Sequence, residues 1–352
     1  MKKGGGIILL SIPFAAGVTV AELAGHAPAT ASAALASIVT SLIVSTLCKS
    51  SGSPPLLLLF FALGALCRST ETLAGGIQPA VPFPGAIDSF AAAIENAGFP
   101  GEHSSAIITA LLTGRRGALE RSTIAAFRRS GASHILALSG LHLGVIYIVL
   151  RRCLMPLGNT PPARLMRGII TVGLCAMYTL MTGAGPSITR AFLFIAINET
   201  GRSLSARRHS PLGTFCLALT LQLALRPSLI ASAGFQLSYL AMLGIIVLYP
   251  RLENWYPRSS RADPLRRIWK AAALSISCQL FTAPAAWWHF RSLPKYFLIT
   301  NLLALPLAEG IIICALVCLA LGAAGICPLA LVRACGNLVQ MLEFCLETIS
   351  GL

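Results

Sequence analysis

Charge is what this sequence has least of. Only 11% of its 352 residues are Asp, Glu, Lys or Arg, and just 12 are acidic, whereas 55% are hydrophobic. So little ionic surface cannot coat a soluble globule of this length, and the chain reads as an all-α, polytopic integral membrane protein. Catalytic signatures are missing too. The six histidines (His26, His103, His134, His142, His209 and His289) fall in no H-x-H or H-E-x-x-H spacing, and there is no G-x-S-x-G elbow and no phosphate-loop lysine. Eleven cysteines include no C-x-x-C pair, and those such as Cys175, Cys216, Cys314 and Cys318 sit singly in apolar runs as small core residues. Neither a metal site nor a bound cofactor is expected, and any nucleotide-driven motion must come from a partner.

What the chain has is apolar length. Runs able to cross or nearly cross a bilayer occur at about 6–22, 30–48, 54–73, 132–151, 167–183, 187–200, 210–226, 230–250, 270–289, 296–322 and 327–350, which predicts about 10–11 transmembrane helices. The run from Ile7 to Val20 resembles a signal peptide but is taken as an uncleaved first helix. With the N-terminus inside, sixteen basic residues fall on inner loops: Lys2, Lys3, Lys49, Arg151, Arg152, Arg164, Arg167, Arg202, Arg207, Arg208, Arg251, Arg258, Arg261, Arg266, Arg267 and Lys270. Four, Arg68, Arg226, Arg291 and Lys295, fall on short outer loops. That asymmetry accounts for most of the net charge of +15 by the positive-inside rule and implies the cytoplasmic membrane.

One segment departs from it. Residues 101–130 lie outside in this scheme yet carry Arg115, Arg116, Arg121, Arg128 and Arg129, candidates for collecting a polyanion. The preceding residues 85–112 are periodic, predicting one or two amphipathic helices on or against the membrane, with a break at Gly114 and Gly117 and a further short helix from Ser122 ending at Gly131. Three parts follow: N-terminal helices (1–74), an extracytoplasmic amphipathic and basic segment (75–130), and a transmembrane domain (131–352).

The most informative stretch is Ser133-His134-Ile135-Leu136-Ala137-Leu138-Ser139-Gly140-Leu141-His142-Leu143-Gly144, which sets two histidines and a serine in an apolar run. On one continuous helix Ser133, Ala137, Gly140 and Gly144 share a narrow stripe fit for close helix packing, and His134 and His142 share the adjoining quadrant about 12 Å apart. Simple interhelical hydrogen bonding is the bland alternative for each histidine. Farther on, Thr182–Ser187 predicts a broken helix restarting at Pro186, with Arg190 one turn in; Gln236 and Asn301 place amides in later spans. Arg190 either pairs with Glu199 or Glu309 or faces a polar path.

The run S-H-I-L-A-L-S-G-L-H-L-G resembles the signature of the ComEC-type competence family, which passes single-stranded DNA across the cytoplasmic membrane in natural transformation. F-R-R-S-G, T-G-A-G-P-S-I-T-R-A, G-F-Q-L-S-Y-L-A and N-L-L-A-L-P fit in the same order, over roughly residues 105 to 310. The resemblance implies a channel for DNA, not an enzyme. His134, Ser139, Gly140, His142, Gly144, Pro186, Ser187, Arg190, Gln236 and Asn301 are its candidate residues, because a polyanion in a low-dielectric layer needs cations and hydrogen-bond donors. A separate DNA receptor, nuclease and cytoplasmic motor are implied, and a homo-oligomer is compatible with it. Members of the family typically carry an OB-like and a metallo-β-lactamase-like domain; only about twenty residues separate the third span from the amphipathic segment, too few for such a barrel, and the sequence stops after its last span. A nuclease role is therefore not expected. Rival readings are a secondary transporter of a smaller anion, an intramembrane hydrolase using Ser139 and His142, and a remnant without transport.

Overall fold

The computed structural model describes residues 5–25, 27–47, 53–75, 85–204, 210–256 and 263–351. Lys2, Lys3, His26, Lys49, Arg207, Arg208, His209, Arg258 and Arg261 lie outside the described residues. Among those described there are helices and turns and no strand, in agreement with the all-α membrane architecture.

The elements run α1 (Gly5–Ala24), α2 (Ala27–Leu47), α3 (Ser53–Leu73), α4 (Ala86–Glu95), α5 (Gly101–Thr113), α6 (Arg121–Arg129), α7 (Ser133–Leu136), α8 (Gly140–Cys153), α9 (Pro161–Met181), α10 (Pro186–Leu204), α11 (Pro211–Leu225), α12 (Ala233–Val247), α13 (Tyr249–Glu253), α14 (Pro264–Phe290), α15 (Phe297–Ala323) and α16 (Leu329–Ser350). Among the described residues, five segments are long and apolar enough to cross a membrane: Pro54–Leu73, Gly140–Leu157, Pro161–Met181, Phe297–Ala323 and Leu329–Ser350. Three shorter apolar helices, Leu9–Ala24, Pro211–Leu225 and Ala233–Val247, accompany them.

The chain forms two compact units, one of Met1–Ala80 and Leu193–Tyr239, the other of Val81–Phe192 and Leu240–Leu352. The first is built on the crossing of α1 and α3. A Cβ on Gly17 would meet the Phe61 carbonyl oxygen at 1.9 Å, and one on Gly64 would meet that of Phe14 at 2.1 Å, so the two backbones touch where both helices lack a side chain. Polar bonds finish the unit: Arg68 pairs with Glu22 and Glu71, Glu71 accepts from the backbone and hydroxyl of Ser228 at 2.7 Å each, and Tyr239 donates to Gln222 at 2.9 Å.

The second unit has its core between α5, α15 and α16. Small residues on α15 (Ala304, Ala308, Ala315) face a three-four repeat on α16 (Val332, Cys335, Val339, Leu342, Leu346), all buried. α4 and α6 bury one side, as amphipathic helices do. α5 does not lie on a surface: nine of its 13 residues are buried, enclosed by α15 and α16, with Pro100 seated where a Cβ on Gly336 would meet it at 2.7 Å. Its end is set by Gly114 in the left-handed region at φ +76, where Leu138 closes in, and by the Tyr178 hydroxyl, which donates to the Leu112 carbonyl at 2.5 Å.

Candidate anion site at two helix starts

The continuous helix expected over Ser133–Gly144 is not formed. α7 stops at Leu136, Ala137 (φ −79, ψ 129) and Ser139 (φ −112, ψ 167) are extended, and α8 starts afresh at Gly140. The reason is local. The Ser139 hydroxyl accepts the backbone N–H of Leu141 at 3.2 Å, and the Ser139 N–H donates to His142 Nδ1 at 3.0 Å, a capping box in which histidine takes the place usually held by Glu or Gln. A serine offered those bonds terminates one helix and begins another. The stripe of Ser133, Ala137, Gly140 and Gly144 is thereby broken up. Gly140 alone keeps a close contact, and nothing lies within 4 Å of a Cβ on Gly144.

The break leaves the Leu136 carbonyl without a helical partner, and Arg116 supplies one, donating Nε–H at 3.3 Å. Arg115 pairs with Asp88 at 2.5 Å. Two of the five expected DNA-collecting arginines thus hold the fold, while Arg121, Arg128 and Arg129 are exposed on α6 with no ion pair among the described residues. Sequence reading missed the work of Arg116; the signal was an arginine ahead of a helix break, visible only once the break is known.

The histidines separate. His134 is exposed, its Nδ1 3.1 Å from the Gly131 carbonyl, whereas His142 is 1% exposed. Because His142 Nδ1 accepts a backbone N–H, its proton sits on Nε2, and that Nε2–H is buried with no hydrogen-bond partner among the described residues. Ser139 Oγ lies 3.2 Å from the same Nδ1. The capping geometry accounts for the Ser139–His142 pairing without assigning it catalysis.

The break between α9 and α10 follows expectation, with α10 starting at Pro186. Gly183 (φ +82) and Ala184 (φ +47) turn left-handed, and Thr182 and Thr189 tie the turn by donating to Tyr178 at 2.8 Å and Ala184 at 3.0 Å. One turn into α10, Arg190 meets the start of α8: a Cβ on Gly140 would lie 3.1 Å from Arg190 Nη2 and 3.2 Å from the Ala191 Cβ. The Ser187 carbonyl is 3.9 Å from the same point. Glu309 makes no hydrogen bond or ion pair among the described residues, so it is not the counter-ion of Arg190. Glu199 pairs with Arg202 at 3.0 Å.

Gln236 and Asn301 stand apart from this cluster. Gln236 belongs to the first unit and donates to the Ile230 carbonyl at 2.9 Å, closing the turn before α12. Asn301, on α15, has its Oδ1 buried and without a hydrogen-bond partner among the described residues. Among the described residues no group of three or more His, Cys, Asp or Glu could hold a metal ion.

At Gly140 the start of α8 therefore meets the first turn of α10 and its guanidinium, the positive end of a helix dipole beside a charge. Such a set is suited to an anion held by hydrogen bonds.

Comparison with known proteins bears on this geometry. Residues 111–352 match the model of the Competence family, described as competence protein, so the match covers α6 to α16 in full. ComE operon protein 3 of Bacillus subtilis (strain 168) is 28% identical over 204 residues, 58% of this chain and 24% of its own length. An uncharacterized protein, YcaI, of Escherichia coli (strain K12) is 27% identical over 214 residues, 59% of this chain and 28% of its own length. The chain matches about a quarter of the length of these curated relatives, and no solved structure matches it. With the family model covering more than two-thirds of the sequence and both helix breaks, the chain belongs to the competence protein family.

Proposed function

We propose that the chain is a membrane-embedded conduit through which a single DNA strand crosses the cytoplasmic membrane during natural transformation. The observation that carries this reading is Arg190 set against the start of α8 from one turn inside α10. An arginine in a membrane-spanning region costs roughly 2.5–3.5 kcal/mol on insertion scales, and two helix N-termini beside it add to the positive potential. A passing phosphate is attracted to that positive potential, and one arginine with helix-end donors binds weakly enough to release it. Membership of the competence family and the likeness to ComE operon protein 3 support DNA as the anion. In this reading the chain has no catalytic residue and relies on a separate receptor, nuclease and motor; Arg121, Arg128 and Arg129 form its DNA-collecting face.

The experiment is transformation frequency in strains carrying Arg190→Lys or Arg190→Ala, beside the melting temperature and membrane abundance of each variant. A large loss of uptake with stability nearly unchanged is expected. Uptake that stays normal in both variants would end the assignment. Paired broken helices around one arginine also suit a transporter of a smaller anion. A strain lacking the gene that still transforms normally, with anion uptake in proteoliposomes that requires Arg190, would select that second reading.

A further inference from the structure

Glu309 is an acid at the middle of an apolar span. Counted from Phe297 it is the thirteenth of the 27 residues of α15, the most apolar of the five candidate spans. At 1.5 Å per residue it lies about 18 Å from the helix start, near the centre of a hydrocarbon layer about 30 Å thick. It makes no hydrogen bond or ion pair among the described residues, and no neighbouring charge acts on it.

The helices packed on α15 are α5, α8, α14 and α16, and their polar groups are turned elsewhere. His103 of α5 pairs with Glu343 of α16, Tyr147 of α8 accepts from Arg151, and the Cys278 thiol of α14 lies 4.0 Å from the Ala241 carbonyl. Arg333 of α16 is exposed, and α16 runs along the opposite side of α15, where Ile311, Cys314 and Gly310 meet Cys335, Leu331 and Leu338. At 100° per residue Glu309 falls about 150° round the helix from that seam.

A second polar demand lies on the face of Glu309. Pro306 has no N–H, so the Leu302 carbonyl loses its partner one turn along the helix. Leu302, Pro306, Glu309 and Ile313 share an arc of about 60°, on which Pro306 and Ile313 are exposed. Lipid leaves both the carboxyl and the freed carbonyl unsatisfied, whereas water satisfies both.

We infer that Glu309 is a proton-binding site: a carboxyl at the middle of the membrane that takes up and gives up a proton through water lying against the Leu302–Pro306–Glu309 face of α15. The ligand is the proton itself, and the site stands whichever anion the protein moves.

Difference infrared spectra of the full-length protein in phosphatidylcholine vesicles, wild type minus Glu309→Gln, test this. The carbonyl band of a protonated carboxyl is expected in the difference, falling about tenfold per pH unit beyond its midpoint as pH is raised, and shifting when D2O replaces water. Glutamine matches glutamate in shape, so the variant is expected to melt near the wild-type temperature. Should it fail to fold, wild type alone supplies the readout. Dicyclohexylcarbodiimide adds across its C=N bond the O–H of a protonated carboxyl, and mass spectrometry of the Glu309 peptide should show labelling that declines with rising pH. A band or labelling indifferent to pH and D2O marks a permanently neutral acid against lipid and would overturn the inference. Absence of both signals at every pH marks a permanent carboxylate and overturns it equally.

Discussion

Arg116 and Arg121 lie five residues apart in the same basic segment and are set to different work. Both are exposed, but Arg116 donates to the Leu136 carbonyl at the end of α7, whereas Arg121 has no ion pair among the described residues. Replacing Arg116 by Gln should lower the melting temperature, by about 1–3 kcal/mol of lost stability for an orphaned carbonyl, and leave the salt dependence of DNA binding as in wild type. Replacing Arg121, Arg128 and Arg129 together should do the opposite, weakening binding and flattening its dependence on salt, because each phosphate contact releases counterions. A binding titration across salt concentrations on both variants checks the pair. A third residue-scale expectation concerns Glu253, which accepts a hydrogen bond from Lys270 at 2.6 Å; that bond holds its carboxyl below the usual carboxylate range. With the folded value depressed, its contribution to stability is present above the unfolded value and is lost as pH falls through the folded one. Melting curves of wild type and Glu253→Gln should therefore converge on acidification, and curves that stay parallel would contradict it.

At the scale of elements, glycine decides where helices meet. Gly17 and Gly64 let α1 and α3 approach to backbone contact, and an added methyl has only main-chain atoms to push. Gly17→Ala should destabilise by about 1–3 kcal/mol or more, whereas Gly144→Ala, with open space around it, should be nearly neutral. Thermal unfolding in detergent discriminates the two, and similar losses at both positions would refute the packing described. The break at Ala137–Ser139 belongs to the same scale. Its cap was present in the sequence as a serine followed three residues later by a side chain able to reach back, yet the apolar run around it read as one continuous span. Histidine in the place of Glu or Gln hid the signal. Near Pro186 the Gly-Ala-Gly-Pro run announced its break openly, and that reading holds.

For the molecule as a whole, the distribution of basic residues sets the expected sidedness, with loops 151–167 and 251–269 facing the cytoplasm. Single cysteines at Arg164 and Arg251, both exposed positions, should resist an impermeant thiol reagent applied to intact cells and react after permeabilisation. Labelling of intact cells would reverse the orientation.

Composition, hydropathy and the ordered motifs were enough to establish a helical membrane protein of the competence family, because apolar length and the ban on unsatisfied backbone in lipid leave few alternatives to helices. Tertiary structure decided the rest. Periodicity in residues 101–113 reports only that some face is apolar; enclosure by α15 and α16 makes nearly every face so. Five arginines in one segment carry the same charge, but distances to Asp88 and to the Leu136 carbonyl divide them into two with a partner and three with none among the described residues. The meeting of Gly140 with Arg190, fifty positions along the chain, depends on two helices crossing, which no local pattern encodes.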